Sequence, residues 1–183
     1  DAAGPGFARD NNRPAPYNLT ANLAQIAQVL KPPKAKSIGF TFSPSTANLV
    51  KQPAGAMIQT TVGGTPVQFQ YDRTTKRYNR LINGAVQHTA SGVTISTPNV
   101  IVQFCSVTVY PQDVDVVGNP SQFTHTIGKG KVVVFRNGHQ ITGTWSRSTA
   151  TAGTTLRTPG GSPINLAPGG EWVVLVATGT PLN

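Results

Sequence analysis

Carboxylates are scarce in this chain: Asp1, Asp10, Asp72, Asp113, Asp115 and Glu171 are all it has in 183 residues. A carboxylate pair that shares acid and base duties must face across a cleft. The most closely spaced pair, Asp113 and Asp115, is flanked by Pro111, Gly118 and Pro120 and reads as an exposed turn. Cysteine is scarcer still. Cys105 stands alone, which excludes an internal disulfide and a multi-cysteine metal site. It lies among apolar residues, where a small buried thiol is the expected outcome. The three histidines, His88, His125 and His139, show no zinc-binding spacing. There is no G-x-S-x-G elbow, and the glycines at 160–170 lack the Gly-Lys-Ser/Thr of a phosphate loop. The sequence therefore offers no catalytic set, no metal site and no cofactor fingerprint. No apolar run approaches the ~18 residues of a membrane-spanning helix.

What remains is a basic, uncharged-polar composition. Only 11% of residues are charged, against about a quarter in an ordinary domain. Thr, Gly, Pro, Asn, Gln and Ser fill the gap, as suits strands and turns. Fifteen Lys and Arg against six acids give a net charge of +9. Such a surplus attracts polyanions: nucleic acid, anionic head groups or acidic wall polymers. Charges spread over a solvated surface would have the same composition. No RNA-binding or helix-turn-helix pattern appears, which makes nucleic acid the weakest of these partners.

Along the chain, residues 1–17 read as an extended lead-in. Leu19, Leu23, Ile26, Ala27 and Leu30 then recur at helical spacing, with Asn18 or Thr20 as cap and Pro32-Pro33 as stop. From Lys36 the period becomes two. Ile38, Phe40 and Phe42 predict a half-buried strand, as do Val67, Phe69 and Tyr71. Asn83-Gly84 joins Tyr78–Ile82 to Ala85–Thr89, and Asn137-Gly138 joins Lys131–Arg136 to His139–Arg147; both read as hairpins. On the second return strand Trp145 is expected to be buried against Ile141 and Phe135. Val100–Tyr110 is apolar on both alternating faces and predicts a central strand. Residues 148–170 read as loop, and Trp172–Val176 as a last strand.

The basic residues supply the candidate binding set. Arg73, Lys76, Arg77 and Arg80 fall within eight residues beside Tyr71 and Tyr78, and Lys129, Lys131, Arg136 and Arg147 gather near Trp145. Arg beside aromatics can grip phosphate or carboxylate and stack on rings. Lys76, Tyr78, Arg80, Arg136, Trp145 and Arg147 are the residues expected to bind. Exposed strand charges that discourage edge pairing would look alike.

Seven landmarks stand in order over most of the chain: Arg9-Asp10-x-x-Arg13-Pro14-Ala15-Pro16-Tyr17-Asn18, Tyr71-Asp72 with Tyr78-x-Arg80, Asn99–Gln103, Ile127-Gly128-x-Gly130, Phe135-Arg136-Asn137-Gly138, Gly143-Thr144-Trp145 and Pro168-Gly169-Gly170-x-Trp172. The series resembles the C-terminal part of the YerB-like bacterial lipoproteins. That resemblance implies an extracytoplasmic, membrane-anchored protein of the cell surface, with a separate domain upstream and an unassigned biochemical function. The anchor is not in this chain, which starts at Asp1 and reads as a mature or trimmed fragment. Tyr17 stands where the family usually has histidine, and Thr89 where an acid usually follows the residue matching His88. Both departures argue against acid–base or metal chemistry here.

The expected fold is mainly β (α+β): a twisted, largely antiparallel, hairpin-rich sheet or partial barrel over 36–183. One N-terminal amphipathic helix within 1–35 forms the tail of an upstream domain. The expected function is a non-enzymatic binding module of a surface lipoprotein, for an anionic cell-wall polymer or a protein partner. The alternative is part of an envelope-acting hydrolase or transferase that needs the upstream domain to complete its site.

Overall fold

A computed structural model describes residues 4–15, 17–31 and 37–183. Pro16 of the first landmark and the Pro32-Pro33 stop lie outside the described residues. The chain divides into two compact units, Asp1–Ser37 and Ile38–Asn183.

In the first unit β1 (Phe7–Arg9) pairs antiparallel with β2 (Leu19–Ala21), and α1 (Leu23–Leu30) follows. The helix starts later than its periodicity suggests, because Leu19 and Thr20 belong to a ladder. Neither expected residue caps it. Asn18 accepts instead from Arg9 Nη1 at 2.8 Å. The cap is Asn22, whose Oδ1 accepts from the N–H groups of Ala24 and Gln25, both at 3.1 Å. Lys31 closes the helix in the left-handed region (φ 42°). No residue of α1 is buried.

The second unit is mainly β. Its strands are β3 (Met57–Val62), β4 (Thr65–Asp72), β5 (Arg77–Ile82), β6 (Ala85–Val86), β7 (Ser96–Thr97), β8 (Asn99–Cys105), β9 (Val107–Val114), β10 (Pro120–Thr124), β11 (Gly128–Arg136), β12 (His139–Arg147), β13 (Thr155–Arg157) and β14 (Glu171–Ala177). One sheet runs β3-β4-β5-β6, with β7 also on β5. The larger runs β13-β12-β11-β8-β14, antiparallel except where β14 lies parallel to β8. Both predicted Asn-Gly hairpins form, with Asn83 and Asn137 at positive φ followed by Gly84 and Gly138.

Alternation along β8 and β11 builds two cores. Val100, Val102, Phe104, Val133 and Phe135 face the smaller sheet and pack on Ile58, Phe69 and Tyr78. Ile101, Cys105, Val132 and Val134 face the other way and pack with Trp145, Leu156, Ile164 and Leu166. Burial on both faces is why β8 reads as a continuous apolar run. Of the expected sheet or partial barrel, the structure shows largely antiparallel sheets, open at their edges, with no closed barrel.

Three local expectations change. Ile38–Phe42 joins no ladder; it lies over the second core through Phe40, tied by Leu166 N–H to the Thr41 carbonyl at 2.8 Å and a single bridge from Phe42 to Leu166. The central strand ends at Cys105 rather than Tyr110. After Ser106 the chain continues as β9, which among the described residues pairs only with β10. Trp145 is buried, at 2% exposure, and packs near Ile141, but Phe135 belongs to the opposite core. Pairing of Val134 with Ile141 puts Phe135 one residue out of phase with that face.

Candidate functional site

Most of the predicted binding residues turn inward. Tyr78 is fully buried; its hydroxyl donates to the Gly55 carbonyl at 3.0 Å and accepts from the Gly138 N–H at 3.1 Å. Burial pushes its phenol far above the ordinary tyrosine range. Trp145 Nε1 donates to the Phe104 carbonyl at 2.8 Å. Arg136, 2% exposed, donates to the carbonyls of Asn165 (2.7 Å), Ser43 (3.0 Å) and Ser45 (3.1 Å). Burial lowers its pKa, yet a guanidinium stays charged at any working pH.

Four more arginines follow the same pattern. Arg80 donates to the carbonyls of Gln68 (3.1 Å) and Leu81 and lies over the Phe69 ring, 5.5 Å from its centroid. Arg147 holds the carbonyls of Ala152 (2.9 Å) and Ala150, Arg77 that of Ser96 (2.7 Å), and Arg157 that of Gly161 (2.7 Å). With six side-chain carboxylates in the chain, these guanidinium groups find backbone oxygen instead. Much of the +9 charge is thus built into loop attachment. Of the six predicted residues, Tyr78, Arg136 and Trp145 offer no surface, Arg80 and Arg147 are half-buried clamps, and Lys76 alone is exposed.

Lys76 belongs to a cleft of about 530 Å³ beside the β11–β12 turn. Leu49, Val50, Ala54 and Ala56 give it an apolar wall; Tyr71, Arg73, Lys76, Asn137 and His139 give it a polar one. None of its lining residues carries a carboxylate. Arg73 and Lys76 are exposed, and among the described residues neither donates a hydrogen bond or joins an ion pair. Asp72, their neighbour, turns into the β4–β5 loop, where Oδ1 accepts from Thr74 N–H at 2.8 Å and Thr75 N–H at 3.4 Å. Those bonds hold its pKa below the ordinary value. Lys76 sits at φ 56°, a left-handed conformation that a side chain adopts at a cost.

The cleft is held by short backbone contacts. Gly55 N–H donates to the Gly138 carbonyl at 2.8 Å, and Gln140 N–H to that of Pro53 at 3.0 Å. Gly138 has φ 76°, and a Cβ there would lie 2.9 Å from Tyr71 ring carbons, so glycine serves both the turn and the close approach of the ring. Burial raises the Tyr71 pKa; the Asp72 charge adds to the rise, and Arg73 opposes it. His139 Nδ1 meets the Gln52 carbonyl at 3.2 Å; as the donor there, it leaves Nε2 as the nitrogen open to a ligand. The arrangement can hold an anion against an apolar wall. Among the described residues no group of three or more His, Cys, Asp and Glu side chains is placed to hold a metal.

His139, one of three histidines without metal-ligand spacing, and the 46–56 wall carry no motif that marks them in the sequence.

A family model described as the C-terminal domain of a protein of unknown function (DUF3048) matches residues 57–173. The chain belongs to that family. The second unit is thus a DUF3048 C-terminal domain, a YerB-like domain of unassigned function. The crystal structure of YerB protein from Bacillus subtilis has the same fold: TM-score 0.72 at 16% identity, covering 97% of this chain and 59% of that one. The present chain therefore spans about three fifths of the YerB chain. No curated protein matches it. The landmarks that carried the resemblance are largely structural in this DUF3048 domain. Asn99 Nδ2 donates to the Ala167 and Gly170 carbonyls at 2.9 and 3.1 Å and so holds the Pro168-Gly169-Gly170 loop. Arg136 clamps two loops, and Trp145 ties β12 to the end of β8.

Proposed function

We propose that this domain is a non-enzymatic binding module of an extracytoplasmic surface lipoprotein, and that the Arg73–Lys76–His139 cleft is where it takes an anionic group. The ligand is an acidic cell-wall polymer or an acidic segment of a protein partner. One observation carries the reading: two exposed cations without protein acceptors line a concavity that has no carboxylate in its wall. Cations so placed focus field lines at the cleft and raise the local concentration of anions. The Asp1–Ser37 unit is read as the tail of an upstream domain, its amphipathic helix meeting that domain through the Leu23–Leu30 stripe; α1 has no buried residue of its own.

Calorimetric titration with wall teichoic acid tests the cleft. Affinity should fall log-linearly with salt as counterions are released. Reversing Arg73 and Lys76 to Glu should abolish binding, whereas reversing Lys129 and Lys131, exposed on β11, should weaken it only modestly. Equal losses from both pairs would mean diffuse attraction to a +9 protein and would remove the cleft as a site.

A further inference from the structure

Among the described residues the β9–β10 hairpin pairs with no other strand. No residue from Val107 to Ile127 is buried, and Tyr110, Val114, Val116, Val117 and Phe123 are all exposed. A lone two-stranded hairpin is marginally stable in water, and contiguous exposed apolar side chains mark an interaction surface. Its charge is opposite to that of the rest of the molecule. Residues 107–127 hold two of the chain's six carboxylates, Asp113 and Asp115, and none of its 15 Lys and Arg. Asp115 is kept ionised: the Asn119 side chain and the N–H groups of Asn119 and Val117 hold its pKa down.

The complementary surface is the cleft, with Arg73 and Lys76 beside Leu49, Val50 and Ala54. The two lie at opposite ends of the central sheet. Arg136, just before the cleft's Asn137-Gly138 turn, pairs with Asn99 at the start of β8. The hairpin leaves from Ser106, beyond Cys105 at the other end of this seven-residue strand. Seven residues of strand span about 20 Å. An arm and a groove at opposite poles meet head to tail between molecules, and repetition of that contact builds a ring or a filament.

We infer that the cleft accepts the β9–β10 arm of a second copy of this chain, with Val116 and Val117 against the apolar wall and Asp113 and Asp115 toward Arg73 and Lys76, giving a head-to-tail assembly. The inference rests on the anion-binding reading of the cleft and names its occupant.

Sedimentation velocity of the 183-residue chain, from micromolar to millimolar, should show mass growing past a dimer. The arm variant Val116→Asp with Val117→Asp and the cleft variant Arg73→Glu with Lys76→Glu should each stay monomeric; all four positions are exposed, and circular dichroism checks their fold. Mixed one to one, the two variants should form a dimer that grows no further, since one good arm meets one good cleft. A wild-type monomer at millimolar concentration would overturn the inference, as would growth that survives the cleft variant, or variants that fail to complement. Teichoic acid binding by a wild-type monomer would leave the cleft standing as an anion site and reject the second copy as its occupant. Complementation without teichoic acid binding would do the reverse, rejecting the polymer and keeping the second copy.

Discussion

The Tyr78 hydroxyl accepts a hydrogen bond from the Gly138 N–H at 3.1 Å, joining the buried face of the smaller sheet to the turn that rims the cleft. The same oxygen donates to the Gly55 carbonyl, so one phenol fixes both sides of the cleft floor. Core packing and site geometry are therefore linked through a single atom.

Tyr78→Phe should cost about 1–3 kcal/mol, because it leaves a carbonyl and an N–H without their partner. It should also change the alkaline limb of stability. The folded phenol titrates above its ordinary value of 10.0, so the unfolded chain releases this proton first. The contribution is present in full below pH 10 and is lost as pH rises past it. Urea unfolding on either side of that value should show a shallower alkaline loss in the variant than in the wild type.

Arg136→Met should destabilise by at least about 3 kcal/mol, since three carbonyls lose a charged donor at once. Arg136→Lys should recover little, because an ammonium cannot reproduce the planar fork that reaches Asn165 and the 43–45 loop together. Thermal unfolding of both variants measures this. A lysine variant as stable as the wild type would refute the clamp.

Trp145→Ala should cost about 3–5 kcal/mol through the cavity left beside Val132, Ile164 and Leu166. Phe135→Ala should cost a similar amount from the other core. The two losses should add, since the side chains lie on opposite faces of the sheet and share no partner. A double-mutant cycle on urea unfolding checks the additivity.

Lys76→Gly should separate stability from binding. At φ 56° glycine relieves strain of about 1 kcal/mol, so stability should hold or rise while affinity for teichoic acid falls. Melting and calorimetry on the same sample decide it; unchanged affinity would take Lys76 out of the site.

Elements with local signals are legible in the residues alone. Asn83-Gly84 and Asn137-Gly138 wrote the two hairpins because Asn-Gly is among the few pairs that accept positive φ at both turn positions cheaply. The double apolar alternation of Val100–Phe104 marked the central strand, since only a strand covered on both faces needs it. The seven ordered landmarks indicated the family. Tertiary structure decided what the polar residues are for. Arg136 and Arg80 read as surface charges because sequence does not show which carbonyls a guanidinium will meet; loop folding brings Ser43, Ser45 and Asn165 to Arg136 from up to 93 residues away. The cleft was equally invisible. Its wall at 46–56, its cations at 73 and 76 and its histidine at 139 come from three separate segments, and concavity is a property of how segments pack. The end of β8 at Cys105 was hidden too, because Val107 and Val109 continue the apolar alternation. The central strand stops because β11 pairs with it no further than Gln103, β14 ends opposite Cys105, and from Val107 the chain pairs with β10 instead.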